Sequence, residues 1–199
     1  YLILIEFFII LFGLIFGSFA NVCVHRLPLD LDIIIKRSFC PKCKKKITWY
    51  DNIPLLSSLM LSFKCRTCKK KISKQYFIVE LLTGLAFIFF YKTLGLSFDF
   101  VLICIIFLIL LIIFFIDLKH YIIPDSLNFS LILIGIIKNF TTQDLLKFNY
   151  NLPDSLFGGA LGYLIIWLII FIYKQIRNKE AMGLGDAKLL SAFGFLLGF

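Results

Sequence analysis

Two aspartates are the strongest candidates for acid–base chemistry in this chain. Asp117 directly follows Phe100–Ile116, a run of 17 residues without a charge, and Asp186 lies just before the last apolar run. Acidic side chains at a membrane are costly, so they are by default candidates for function. Two carboxylates that share a site do not both ionise easily, because the pKa of one of them rises. Such a pair predicts one acid and one base that hold a water molecule against a scissile carbonyl group.

Asp186 stands in the segment Met182–Lys188, whose sequence is MGLGDAK. Gly183 and Gly185 have no Cβ atom, which would let an extended substrate backbone approach beside the carboxylate. We therefore treat Gly183 and Gly185, together with Lys188 at the end of the segment, as candidate residues of the substrate approach.

Structural roles remain open for each of the acids near the membrane. Asp186 could be the N-cap of the last helix, and Asp117 could be a solvated helix end. Asp125 follows a proline and precedes a serine and an apolar segment, which favours an N-cap still more strongly. Glu80, in the otherwise uncharged run Phe77–Tyr91, predicts either an interior polar contact between helices or a functional acid at the substrate approach.

Four cysteines form an internal repeat with the spacing of a metal site. Cys40 and Cys43 are followed by KKKIT, and Cys65 and Cys68 by KKKIS, so that the two copies are 25 residues apart. Two such knuckles complete a tetrahedral four-thiolate site, and the spacing predicts structural zinc. The alternative is two disulfides, which a reducing cytoplasm disfavours. Cys23 and Cys104 lie in or beside apolar runs and are predicted to be ordinary apolar residues.

The composition excludes a soluble enzyme and a disordered chain. Of the 199 residues 60% are hydrophobic and only 17% are charged, whereas a soluble domain has about 25% charged residues. The apolar runs predict an all-α polytopic membrane protein of about six transmembrane helices, the last of them truncated at 11 residues. The glycine pairs Gly13–Gly17 and Gly158–Gly162 predict surfaces where helices pack closely.

The positive charge lies on one side of the predicted topology. Eighteen of the 21 lysines and arginines are in segments placed inside the cell, 13 of them in residues 21–76. The chain therefore divides into a first transmembrane helix (1–20), a cytoplasmic basic module with the cysteines (21–76) and a transmembrane helical core (77–199). Attraction to anionic lipids explains the basic module better than nucleic-acid binding, because its aromatic residues form no stacking array.

These residues together resemble the type IV prepilin peptidases, a family of membrane aspartic proteases with a GxGD motif. The matching segments cover nearly the whole chain: Gly17–Val22, Arg26–Pro28, Arg37–Ser38, Cys40–Cys43, Trp49–Pro54, Cys65–Cys68, Val79–Gly84, the D-x6-P-D pattern of 117–125 and the GxGD motif of 183–186. Positions that depart from the family pattern are Phe63, Gln75, Phe77 and Ala181.

The resemblance implies a function and a location. Asp117 and Asp186 take the family's catalytic positions, for cleavage of prepilin or pseudopilin leaders after a glycine. It further implies N-methylation of the new N-terminal residue from S-adenosylmethionine, in the bacterial inner membrane with the active site at the cytoplasmic face. Asp51, Glu80 and Glu180 are candidates to receive the basic leader. Other hypotheses are a peptidase without methyltransferase activity, a transporter, and a non-enzymatic zinc-bearing membrane scaffold.

Overall fold

Helices account for the regular structure of the chain, which was analysed as a computed structural model. The structure describes residues 2–33, 38–40, 42–141, 152–177 and 183–198, and within these the extended pairings are two isolated bridges. The α-helices are α1 (Leu2–Arg26), α2 (Leu56–Met60), α3 (Gln75–Leu94), α4 (Phe98–His120), α5 (Asp125–Thr141), α6 (Leu152–Arg177) and α7 (Leu184–Leu197). The prediction of an all-α fold is therefore confirmed. Glu180 lies outside the described residues.

Four helices are long and apolar enough to cross a membrane. They are α1 with the short turn that follows it, α3, α4 and α6, with mean hydropathies of 2.6, 1.7, 3.5 and 2.3. Large apolar side chains such as Ile3, Phe89 and Leu168 are exposed on them, which suits contact with lipid acyl chains. Helices α5 and α7 have 17 and 14 residues. The chain is thus a multi-pass membrane protein.

The chain forms two compact units, and the first comprises Tyr1–Ile112. In this unit the backbones of α1 and α3 come into direct contact at two glycines of α1, where no side chain separates the two helices. A Cβ atom on Gly13 would lie 2.9 Å from Cα of Gly84, and one on Gly17 would lie 2.8 Å from Cα of Glu80. Helix α1 continues to Arg26, so the first residues expected in the basic module are helical.

The second unit comprises Ile113–Phe199, and in it α7 contacts both α5 and α6. A Cβ atom on Gly158 would lie 2.8 Å from the Gly194 oxygen, and one on Gly162 would lie 2.7 Å from the Leu190 oxygen. The Ser191 hydroxyl donates to the Gly159 carbonyl at 2.9 Å. Both glycine pairs therefore lie at close helix contacts, as the sequence predicts. Lipid provides little hydrophobic force between helices, so this close approach is a main source of their association.

We expect Gly162→Val to separate α6 from α7. The new side chain would meet the Leu190 backbone, which cannot rotate away, and overpacking of this kind costs roughly 3 kcal/mol. Ala160→Val is the matched control, because it adds a valine to the exposed face of the same helix. Thermal unfolding in detergent should show a lower Tm for Gly162→Val alone, and equal Tm values for the two variants would contradict this account of the packing.

Candidate functional site

The two cysteine knuckles have the same local structure as well as the same sequence. In each knuckle, the N–H of the first cysteine donates to the carbonyl five residues later, at 2.9 Å for both Cys40 and Cys65. The carbonyl of the same cysteine accepts the N–H four residues later, at 2.8 Å for Cys40 and 2.9 Å for Cys65. Lys44 and Lys69 take equivalent left-handed conformations, with φ of 56° and 57°. The 25-residue sequence repeat is therefore also a structural repeat.

The four sulfur atoms converge to one point. All the Sγ atoms of Cys40, Cys43, Cys65 and Cys68 lie within 4.8 Å of one another, and those of Cys40 and Cys68 are 4.0 Å apart. Four thiolates at 2.3 Å around a tetrahedral zinc ion would be about 3.8 Å apart, so the spacing fits. The six cysteines, all described, are free thiols, so the disulfide alternative is not realised. The cluster could hold a metal ion.

Local hydrogen bonds prepare the cluster for a metal. The backbone N–H groups of Cys68 and Thr67 point at the Cys65 sulfur and, despite some desolvation, lower the pKa of that thiol to about 7. A thiolate is the form of cysteine that binds a metal. The neighbouring Cys68 shows the opposite shift: the Lys70 N–H lowers its pKa, but desolvation and the other three thiols outweigh this and raise that pKa to about 11. The two thiols thus share one proton between them, and Cys65 is the one that ionises first.

Asp51 anchors the second knuckle to the short helical turn Trp49–Asn52. The Arg66 guanidinium donates to both carboxylate oxygens, with a shortest distance of 2.7 Å, and lies 5.4 Å from the centre of the Tyr50 ring. These hydrogen bonds from Arg66 lower the pKa of Asp51. Of the acids considered as receivers of a basic leader, Asp51 already has a cationic partner.

Glu80 lies at the base of the module and makes an interior polar contact. Its side chain is buried, and its Oε2 atom accepts the Leu55 backbone N–H at 2.9 Å, while Ser18 forms a further side-chain hydrogen bond with it. Leu55 has a φ of 59°, an uncommon conformation for leucine, and the bond to Glu80 helps to hold it. Glu80 therefore makes the interior polar contact that was one of its two predicted roles. This contact is compatible with the other predicted role, that of a functional acid.

A cavity of about 200 Å³ lies above Glu80, within the first unit. It is lined by residues of α1, both knuckles, α2 and the start of α3. Asn21 and Tyr76 are among them, and the Asn21 amide donates to the Tyr76 carbonyl at 3.0 Å. The cavity therefore lies where the metal cluster, the first helix and Glu80 come together.

The two candidate catalytic aspartates lie at helix ends in the second unit. Asp117 is exposed in the last turn of α4, where its carbonyl accepts the Tyr121 N–H at 2.9 Å. Asp186 is half-buried as the third residue of α7, and its N–H donates to the Gly183 carbonyl at 3.2 Å. Gly183 is the N-cap residue, so the alternative of Asp186 as the N-cap is wrong.

The prediction that Asp125 is the N-cap of α5 is wrong by one residue. Helix α5 begins at Asp125 itself, and the Pro124 carbonyl accepts the N–H groups of Leu127 and Asn128 at 3.1 and 3.4 Å. The Asp125 carboxylate instead pairs with the Lys188 ammonium, at 2.7 Å to each oxygen. Lys188 thus links the GxGD segment to the start of α5.

The first turn of α7 docks on the segment that joins α4 to α5. A Cβ atom on Gly185 would lie 3.1 Å from Cβ of Ile123, and the Asn128 amide donates to the Gly185 carbonyl at 3.4 Å. A side chain at residue 185 would therefore be crowded by Ile123, whereas a Cβ atom on Gly183 would lie 3.8 Å from the Gly185 nitrogen, an ordinary van der Waals distance. The turn of α7 that carries Asp186 therefore docks on the segment that follows Asp117 in the chain.

Asn128 and Ile123 are residues of this junction that reasoning from the sequence missed. Asn128 is buried, and its Oδ1 atom has no hydrogen-bond partner among the described residues. A polar residue in the apolar α5, one turn after Asp125, is the signal that could have found it.

Two family models match the chain, one after the other. A model described as "Bacterial Peptidase A24 N-terminal domain" matches residues 11–94, and one described as "Type IV leader peptidase family" matches residues 102–199. The boundary between them falls in the turn and first residues of α4, after the module and α3.

Curated relatives match over almost the full chain. A Klebsiella pneumoniae protein named "Prepilin leader peptidase/N-methyltransferase" is 36% identical over 96% of this chain and 85% of its own length. Proteins of the same name from Vibrio cholerae and Myxococcus xanthus are 39% and 38% identical, over 100% and 96% of this chain and 79% and 55% of theirs. No solved structure matches the chain.

A double-mutant cycle should detect the link between α5 and α7. Lys188→Glu places a second negative charge beside Asp125 and should lower the free energy of unfolding, and adding Asp125→Lys should restore part of it. The pair is partly exposed, so we expect a coupling of roughly 0.5–1 kcal/mol, measured as unfolding in detergent. Strictly additive effects of the two substitutions would show that the ion pair does not form.

Proposed function

The chain belongs to the type IV leader peptidase family, and we propose that it is an aspartic endopeptidase that also methylates its product. Its substrates are prepilin-like proteins, whose short basic leader it removes after a glycine. The observation that carries the proposal is the docking of the first turn of α7, which carries Asp186, on the segment that joins α4 to α5 directly after Asp117. The match of residues 102–199 to the leader peptidase model supports it.

In this proposal Asp117 and Asp186 share one proton and one water molecule. The ionised carboxylate removes a proton from the water as its oxygen attacks the carbonyl carbon of the glycine. The protonated carboxylate donates to the carbonyl oxygen. Collapse of the tetrahedral intermediate breaks the C–N bond, and the proton taken from the water passes to the leaving nitrogen. The exposure of Gly183 supports an approach of the substrate backbone from that side.

Methylation follows at the nitrogen that cleavage has freed. S-adenosylmethionine supplies an electrophilic methyl group on a sulfonium ion. The nitrogen lone pair forms the new N–C bond, the C–S electron pair stays on sulfur, and the surplus nitrogen proton passes to solvent. The nitrogen must be neutral to react, so a site that desolvates an ammonium group would favour this step.

The metal of the proposed enzyme is a structural zinc ion. The four thiolates of Cys40, Cys43, Cys65 and Cys68 would fill its coordination shell, leaving no position for substrate. The zinc would hold together a module that has little regular structure, and its binding energy would contribute to the folding of that module. Its role would therefore be in shaping the surface around α1 and α3.

The proposed location is the inner membrane of a bacterium, with the module and both aspartates at the cytoplasmic face. The basic residues of the module support this orientation, since lysine and arginine accumulate on the cytoplasmic side. They would also attract the anionic headgroups of that leaflet.

We expect Asp117→Asn and Asp186→Asn each to abolish cleavage while the protein stays folded, because an amide cannot exchange the proton. Asp125→Asn should reduce cleavage less, since its carboxylate pairs with Lys188 and has no assigned part in proton transfer. The measurement is cleavage of a purified prepilin by each variant, followed by electrophoresis. Full cleavage by Asp117→Asn or Asp186→Asn would refute the assignment, and a scaffold or transporter would show no cleavage in the parent protein.

Metal analysis of the reduced protein should find about one zinc ion per chain, as a closed four-thiolate site requires. The double variant Cys40→Ser/Cys43→Ser should lose that zinc and should methylate less while still cleaving, because the aspartates lie outside the module. Cys23→Ser is the matched control and should keep its zinc. Mass spectrometry of the processed pilin separates cleaved from methylated product, and an equal fall in both activities would disprove this division of labour.

A further inference from the structure

The cavity above Glu80 has a distribution of charge that neither the metal cluster nor proteolysis explains. Its most buried lining residues are Asn21, Arg26, Cys40 and Glu80, with exposed fractions of 3, 4, 4 and 6%. A carboxylate so deeply buried is normally paired with a cation. Among the described residues, the partners of the Glu80 carboxylate are the Leu55 N–H and Ser18, both of them uncharged.

We infer that this cavity binds the charged end of S-adenosylmethionine, with Glu80 facing the sulfonium ion. The inference rests on the methyltransferase activity proposed above and names a site for it. The cavity is smaller than the roughly 300 Å³ of common ligand pockets, so it encloses the amino-acid and sulfonium part and leaves the nucleoside at its mouth.

The mouth of the cavity favours this ligand over the basic leader of the substrate. Lys45 and Lys46, both exposed, line the cavity there. These cations would attract the carboxylate of the methyl donor, whereas they would repel a leader rich in lysine and arginine. A buried anion below a cationic rim therefore matches a ligand that carries a carboxylate and a sulfonium a few atoms apart.

Asp51 and Arg26, which also line the cavity, have partners of their own. Both carboxylate oxygens of Asp51 accept hydrogen bonds from the Arg66 guanidinium. The buried Arg26 donates to the backbone carbonyls of Asp32 and Ile33, at 2.9 and 3.4 Å. Glu80 is thus the carboxylate of the cavity that can serve a cationic ligand.

The test compares two ligands that differ in one charge. S-adenosylmethionine carries the sulfonium, and S-adenosylhomocysteine is the corresponding neutral thioether. Glu80→Gln keeps an oxygen for the Leu55 N–H but removes the negative charge. We expect it to weaken binding of S-adenosylmethionine roughly tenfold, measured by calorimetry on the full chain in detergent, with S-adenosylhomocysteine affected far less.

Two controls separate the charge from the fold. Glu6→Gln makes the same substitution on α1 outside the cavity, where Glu6 lies 3.7 Å from Lys92, and should leave both affinities unchanged. Ser58→Phe fills the cavity from α2 without touching the charge of Glu80 and should abolish binding of both ligands, while prepilin cleavage persists. This second variant tests the site even where Glu80→Gln does not fold.

The following outcomes overturn either the inference or the proposed activity on which it rests. Binding of S-adenosylmethionine by Ser58→Phe at the affinity of the parent places the methyl donor elsewhere. An equal effect of Glu80→Gln on the two ligands, or no effect on either, removes the role of its charge. Displacement of S-adenosylmethionine by a synthetic leader peptide assigns the cavity to the leader. A parent protein that cleaves but yields only unmethylated pilin refutes instead the proposed methyltransferase activity.

Discussion

The close backbone contact of α7 with its neighbours is the constraint on which the second unit depends. Helix α7, which carries Asp186, packs against both α5 and α6. It is held by direct approach to α6 at Gly158 and Gly162 and by polar bonds between side chain and backbone, such as that from Lys138 to the Leu196 carbonyl at 2.9 Å. These contacts lie roughly one to three turns along α7 from Asp186, so glycines and backbone carbonyls outside its own turn help to determine its position.

In the first unit, too, a glycine brings the backbones of two helices into direct contact. Gly17 lets α1 approach α3 at Glu80, so the buried carboxylate lies directly at the contact of the two helices. The Leu55 N–H then joins the module to the same carboxylate. A residue of the apolar helix α3 therefore helps to fix a strained turn of the cysteine module, which couples the shape of the module to helix packing.

Features with a local signal could be predicted from the sequence, and features created by distant contacts could not. The knuckle repeat, the glycine pairs and the all-α fold each follow from patterns within a short segment. The start of α7 does not, because Ile123, some 60 residues earlier, docks on Gly185 and so takes part in placing the first turn. Nor does the partner of Glu80: no pattern links residue 80 to Leu55, which adopts a conformation that leucine rarely takes. The catalytic role of Asp186, taken from the GxGD resemblance, stays a prediction, whereas its alternative role as N-cap was wrong by three residues.

The two units provide environments suited to opposite chemical needs. Hydrolysis by an aspartate pair consumes a water molecule, and Asp117 is exposed and Asp186 half-buried. Methyl transfer to an amine needs a neutral nitrogen and gains from a site with little water, because desolvation disfavours an ammonium ion. Glu80 is 6% exposed in a small cavity, where a negative charge favours a sulfonium ion more strongly than it would in water. The burial of Glu80 would oppose peptide hydrolysis there and favour methyl-donor binding, and the exposure of Asp117 has the reverse effect. The difference in burial therefore supports the proposal that cleavage takes place at the aspartates and binding of the methyl donor at Glu80.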